Sequence, residues 1–540
     1  MGLLLGLIPN RAAFATTISS HNCTVQSNTM RFDCTVNLSD VDTARIGFAP
    51  ASTGDWNWSD WATGSSIQFV LYNFHADTTY EYKVAVAGGE QTTPTTLTGG
   101  PSLPTNLGDL NLLVDDTTSA RANYVMFDTF DCQGQGTMVS PGVHYLVVVE
   151  AETGEIVWYQ DIVAEASGSG ITGWSYTADD TVLIITDRAF LNEWALDGSA
   201  VITEVDFSAD CSQDTGDYGP CPHHDAFRSD DNGKTYVVTG AYDTTIAPSS
   251  TSDFSTPSAC NSWKGFVDDG VRVYNSTFSS YVQHTLMNDM DFDPSSDAGP
   301  NPEDCTGGSY WTTYGFGPRV QAVDWTHANS VSAVQPGASD RLNMSLRQWS
   351  MFVRYAPGST SVDWMLNGWE PEDYDFAEIN KGPGISGGDA AFGGQHHITE
   401  DDGLFLMFDN GDRKPTAVGA RVLQIDIDTS ADPDEATILR SWEMRTITTH
   451  SDLTCPGLGN AVMIPGTSGK NVLATCGPFT TIQELDEYDG LQTTDPVLQI
   501  ALDTTADSST GEYDLCITGS DPTTPGRFYR AWPLLELGEF

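Results

Sequence analysis

A strand–turn–strand unit recurs along most of this chain, and the recurrence restricts the fold more than any other feature. It appears in YLVVVEAETGEIVWYQ, LNEWALDGSAVITEV, VRVYNSTFSSYVQHT, MFVRYAPGSTSVDWMLNG, VLQIDIDTSADPDEATILRSWEM and TIQELDEYDGLQTTDPVLQI. Each alternates with period two around a polar or Gly-containing turn, the pattern of a β-hairpin. A further strand pair lies ahead of most of them, around DDTVLIITD, GKTYVVTGAY, DRLNMSLRQW, GLFLMFDNG and KNVLATCG. About four strands per unit and about six units are the signature of a β-propeller. No long helical pattern interrupts the series, and the terminal RFYRAWPLL is placed to supply a closing strand. Residues 17–98 read differently, as short alternating strands such as TMRFDCTVNL, SIQFVLYNF and YEYKVAVAG. The aromatic strand after NFHADTT suits a fibronectin-like sandwich. The Gly- and Pro-rich GGPSLPTNLG then serves as a linker. The predicted fold class is therefore all-β: a small β-sandwich over 17–98 and a six-bladed β-propeller over 105–540.

The N-terminal MGLLLGLIPNRAAFA, residues 1–15, reads as a signal peptide with an Ala13-Phe14-Ala15 cleavage pattern, though without a charged start. No other run is apolar enough to span a bilayer, so a soluble, periplasmic or secreted protein is expected. The 10 cysteines include no metal-type C-x-x-C pair and scatter through loops, which points to disulfides in an oxidising compartment. Cys23 with Cys34, Cys211 with Cys221 and Cys455 with Cys476 are the local candidates. Lys and Arg total 23 against 74 Asp and Glu, a net charge of −51. That field repels phosphate backbones and excludes nucleic-acid binding as the expected role. Acidic insertions such as DMDFDPSSDAGPNPEDC lack EF-hand spacing and read as solvated surface. Monomer and homodimer are equally compatible with the sequence.

Histidines mark the start of three consecutive units. His223 and His224 lie in PCPHHDAF, His327 and Asn329 in DWTHANSV, and His396 and His397 in GGQHHITEDDGLFLMF. The first strand of each propeller blade lines the central channel, so these three sites are expected to converge on one ligand. Any one of them alone would suit a histidine that ties strands together. Three at one phase suggest a functional cluster. Arg347, in NMSLRQWSMF, adds a rare positive charge on what reads as the next strand. Such a cluster could hold zinc or copper. It could equally attack an electrophile through a neutral imidazole, with neighbours moving protons and cationic groups meeting the developing charge.

PHHDAF, DWTHANSV, NMSLRQWSMFVRYAPGSTSVDWMLNG, GQHHITEDDGLFLMFDNGDR, ARVLQIDID and FYRAW together resemble the bacterial arylsulfate sulfotransferases, in the family's order and over most of residues 105–540. The resemblance implies a six-bladed propeller and transfer of a sulfuryl group from a phenolic sulfate ester to a phenol acceptor. It implies a ping-pong reaction through a sulfohistidine, with no phosphoadenosine phosphosulfate and no other cofactor. The absence of a Gly-rich phosphate loop agrees. By the motif match the nucleophile is His396, with His224, His327, Asn329 and Arg347 around the sulfuryl group. Which of His224 and His327 is the acid–base residue stays open. His397 leaves two candidate rings at the nucleophile, and His223 does the same beside His224. The family's Lys-Thr element matches HSDLTCPGLGN, which has Thr454 as a substrate-binding candidate but no lysine. The rival readings are a propeller that binds an anionic ligand without turnover, and a metal-dependent enzyme built on the histidines.

Overall fold

In the computed structural model, the described residues cover most of 16–104, the strand 112–115, the strands and short turns between 122 and 502, and 530–534; the longest stretches outside the description are 1–15, 132–142, 244–264, 290–321, 369–378, 382–391 and 503–529. The signal segment and nearly all of the acidic DMDFDPSSDAGPNPEDC insertion lie outside the described residues. The chain divides into two compact units.

The smaller unit comprises β1 (Ile18–Val25), β2 (Phe32–Pro50), β3 (Asn57–Trp58), β4 (Ala62–Leu71), β5 (Tyr80–Val86) and β6 (Thr95–Thr96). All six belong to one hydrogen-bonded sheet centred on the long β2. The first half of β2 pairs with β1 and β4 and the second half with β5, with a register slip between Asn37 and Asp42. Alternate residues on both halves, Phe32, Cys34 and Val36 and then Ala44, Ile46 and Phe48, enter one core with Phe69, Tyr82 and Val84. Cys23 and Cys34 are directly opposite in the ladder and form a disulfide.

The larger unit is an all-β propeller. Among the described residues it holds six successive sheets of four or five strands, mostly antiparallel meanders, and a separate two-stranded ribbon. The second strands of these sheets explain the continuous apolar runs in the sequence. Thr181–Thr186 is buried along its whole length, and Leu404–Asp409 nearly so, because each sheet is covered by a neighbour on both faces. One such interface buries Phe352, Trp364 and Leu366 against Phe405, Met407 and Ile425. The next buries Phe408 and Val422 against Ala461 and Val472.

Two strands distant in sequence close the series. Ala531–Leu534 pairs antiparallel with Tyr124–Asp131, so the C-terminal segment completes the sheet of the first hairpin. Leu112–Asp115 pairs with Leu498–Leu502 and completes the last sheet. The first strands, Ile171–Tyr176, Tyr218–Arg228, Ala328–Ala333, His396–Asp401, Asn460–Met463 and Ala531–Leu534, pack in succession. Asn460 welds the last junction by donating to Ala531 O at 2.8 Å and accepting from Ala531 N at 3.0 Å. Leu286–Asp289 forms a four-residue helical turn, and no helix among the described residues is long and apolar enough to cross a membrane. The Cys211–Cys221 and Cys455–Cys476 pairs are disulfides, which fits an oxidising compartment.

Candidate functional site

The three histidine stretches share a backbone device. His224, His327 and His397 are left-handed, with φ of 57°, 51° and 50°. A break in strand register lies at or next to each one, between Pro222 and Ala226, Ala328 and Ser330, and His396 and Ile398. Such bulges re-aim side chains, and left-handed backbone at a non-glycine residue persists only where the surroundings enforce it. Buried polar side chains do so here. Asp269 accepts from Thr326 Oγ1 and from Ala328 N, both at 2.6 Å, on either side of His327. The same carboxylate lies 3.2 Å from His223 Nε2. Asp225 accepts from Val331 N at 2.9 Å, and Ser330 Oγ accepts from Ile398 N at 2.9 Å. The first strands Tyr218–Arg228 and Ala328–Ala333 thus each fix the backbone of the next first strand.

The rings of His224 and His327 approach to 4.9 Å between centroids. His223 Nδ1 lies 2.6 Å from His224 Nδ1. Both rings are buried, so His223 braces His224 from one side while Asp269 holds His223 from the other.

His396 is buried at the start of its strand. Its Nδ1 lies 2.7 Å from Asn410 Oδ1 and 3.1 Å from Gly394 O. The N–H of Leu458 donates to its Nε2 at 3.2 Å. Two acceptors at Nδ1 and a donor at Nε2 define one tautomer, with the proton on Nδ1 and a lone pair on Nε2. Burial, then the charge of Arg347, and to a lesser degree His327, hold the ring well below the usual histidine range, against the opposing hydrogen bond to Asn410. Arg347 is the first residue of the turn after Leu342–Leu346 rather than a strand residue, and its N–H donates to His327 O at 3.1 Å. It therefore connects the His327 stretch with His396. Asn329 donates from Nδ2 to Gln395 O at 2.7 Å, bracing the residue before the candidate nucleophile. Gln395 Nε2 lies 2.7 Å from Met351 O and 3.2 Å from Leu346 O, which pins the same segment to the neighbouring sheet.

His397 has a different setting. Burial, then the charge of Arg530, depress its basicity, while a hydrogen bond with the backbone of Ala461 opposes them. Thr454 lies outside the described residues, between Leu453 and Cys455. Three contributors were assigned no role from the sequence. Asp269 sits in VDDGVRVY with nothing local to single it out. Asn410 follows the buried LFLMF run, where a polar Asp-Asn-Gly signals a turn but not its partner. Arg530, from FYRAW, is buried and donates to Asp225 Oδ1 and Trp174 O at 2.6 and 2.9 Å. It joins the closing strand to the His224 stretch. Among the described residues no group of three or more His, Cys, Asp or Glu is arranged to hold a metal ion.

No curated protein sequence matches the chain. Among solved structures, the β-propeller domain of Myceliophteria thermophila Cps50 (Swd1) shares 9% identity at a TM-score of 0.33, covering 71% of this chain and 88% of its own. The periplasmic gluconolactonase PpgL of Pseudomonas aeruginosa shares 9% identity at a TM-score of 0.34, covering 90% and 99%. Apo AztD from Citrobacter koseri shares 11% at 0.32, covering 91% and 98%. At the level of sequence family, a model described as Arylsulfotransferase (ASST) matches residues 143–424, which span the His224, His327 and His396 stretches and more than half of the chain. The chain belongs to the arylsulfotransferase family.

Proposed function

We propose that the protein is a periplasmic or secreted aryl-sulfate sulfotransferase that works by a ping-pong mechanism, with His396 as the nucleophile and no phosphoadenosine phosphosulfate. The observation that carries this reading is the setting of His396: a buried ring whose Nδ1 faces two acceptor oxygens and whose Nε2 accepts from Leu458 N–H, with burial and Arg347 holding its basicity well below the usual histidine range. A neutral ring with a fixed lone pair is the form that attacks an electrophilic centre. In the first half-reaction the Leu458 N–H gives up its hydrogen bond to Nε2, and Nε2 bonds to sulfur as the ester S–O bond breaks and its electron pair leaves with the phenolate. In the second, an acceptor phenol oxygen attacks sulfur, loses its proton, and the S–N pair returns to Nε2. One of His224 and His327 protonates the leaving phenolate and then takes the acceptor's proton. Charge on the transferring group spreads over its equatorial oxygens, as in phosphoryl transfer. Arg347, already close enough to depress the basicity of His396, supplies the compensating charge. Asn329 and Thr454 complete the proposed substrate contacts.

Transfer from 4-nitrophenyl sulfate to a second phenol, followed by nitrophenol release, tests the reading. His396→Asn should remove exchange while circular dichroism and the unfolding midpoint stay near wild type. Full exchange in that variant would overturn the assignment.

A further inference from the structure

The loop from Cys455 to Leu458 touches both ends of the His396 hydrogen-bond system. Asn410 Nδ2 donates to Cys455 O at 3.0 Å and to Leu458 O at 2.9 Å. Two carbonyls around that nitrogen settle the orientation of the amide, because the opposite orientation would set an oxygen against two oxygens. Asn410 Oδ1 therefore faces His396 Nδ1 at 2.7 Å and accepts its proton. The same loop returns at Leu458, whose N–H reaches His396 Nε2. Leu458 is itself left-handed, with φ of 53°, and Gly459 follows at φ 126° with no room for a side chain. A Cβ on Gly459 would fall 2.5 Å from Phe408 and 2.7 Å from Thr475 O. The loop is tied covalently at its start, where Cys455 is bonded to Cys476 on the adjacent strand Val472–Cys476. Asn410 is completely buried, so water does not compete for these bonds.

We propose that Asn410 is a positioning residue that locks His396 in its Nδ1–H tautomer, and that the Cys455–Cys476 disulfide holds the loop that orients Asn410. The inference rests on His396 being the nucleophile and adds the device that aims it. A neutral amide in this place does what a carboxylate does behind a catalytic histidine, but leaves the ring uncharged. It fixes which nitrogen carries the lone pair without stabilising an imidazolium. The disulfide matters because Cys455, whose carbonyl accepts from the amide, is itself bonded to Cys476.

Nitrogen-15 NMR of histidine-labelled protein, with His396 assigned by its loss in His396→Asn, tests this apart from activity. Wild type should show a protonated Nδ1 and an unprotonated Nε2. Asn410→Ala should shift the signals to a tautomer mixture and lower kcat by about 10- to 100-fold, the usual effect of losing a partner behind a ligand or catalytic ring. KM should change little. Asn410→Gln gives a second variant in which the amide is kept but displaced by one methylene. Dithiothreitol treatment should move wild type toward the same mixture, with reversal on reoxidation, and should leave the Asn410→Ala spectrum unchanged. An unshifted tautomer in both Asn410 variants would overturn the proposal. So would a reductant effect equally large in Asn410→Ala. If wild type shows the predicted tautomer but transfers no sulfuryl group, the positioning stands and the functional reading falls.

Discussion

His396 shows how surroundings choose the reactivity of one side chain. Its ordinary basicity would leave a sizeable charged fraction in mildly acidic water. Burial and the nearby Arg347 remove the charged form, and Asn410 and Leu458 decide which nitrogen keeps the lone pair. The acid limb that this ring contributes to kcat/KM should therefore lie well below pH 6.5; a limb at or above that value assigned to His396 would contradict the account. The same shift bears on stability. His396 and His397 both resist protonation in the native state, whereas the unfolded chain protonates them near their ordinary values. Below about pH 6.5 the unfolded state then binds more protons, so stability falls on acidification through that range and is unaffected by these rings above it. Every histidine at the centre was legible in the sequence as a residue. The different settings of His396 and His397 were not, because they depend on a bulge and, for His396, on partners 14 and 62 positions away.

At the scale of strands, the hairpins were legible because period-two alternation and turn chemistry are local. The bulges were not, since they arise where one first strand must fit the next. Gly173 marks such a place. It lies on Ile171–Tyr176 beside a register slip, and a Cβ there would meet His224 O at 2.2 Å. Its backbone is not left-handed, so the requirement is space alone. Gly173→Ala should cost about 1–3 kcal/mol as an overpacking change and should also lower transfer, because the atoms displaced belong to His224. Thermal unfolding and kcat measured on one preparation check both effects. A variant as stable and as active as wild type would mean that the two strands are not in contact. The closing strand Ala531–Leu534 was anticipated from the terminal aromatic run. The counterpart at the other end, Leu112–Asp115, was not, since its partner Leu498–Leu502 lies nearly 400 residues on and no local pattern announces so distant a pairing.

For the whole molecule, a net charge of −51 goes with two arginines, Arg347 and Arg530, near enough to the buried His396 and His397 to depress their basicity. Self-repulsion of the acidic surface opposes the compact state, and salt relieves it. The unfolding midpoint should rise as salt is raised from about 0.05 M to about 1 M, where the screening length falls to about 3 Å; a flat or falling midpoint would show that the acidic surface carries no net penalty. Composition told of this charge but not that Arg272, Arg421 and Arg530 are buried, because their positions follow from how the strands pair. The central claim is a covalent sulfuryl intermediate on His396. Intact-protein mass after brief mixing with 4-nitrophenyl sulfate at neutral to mildly alkaline pH tests it most directly. The account predicts a gain of one SO3 that disappears on adding phenol and never forms in His396→Asn. An adduct that persists in that variant, or nitrophenol release with no adduct at any time, would contradict it.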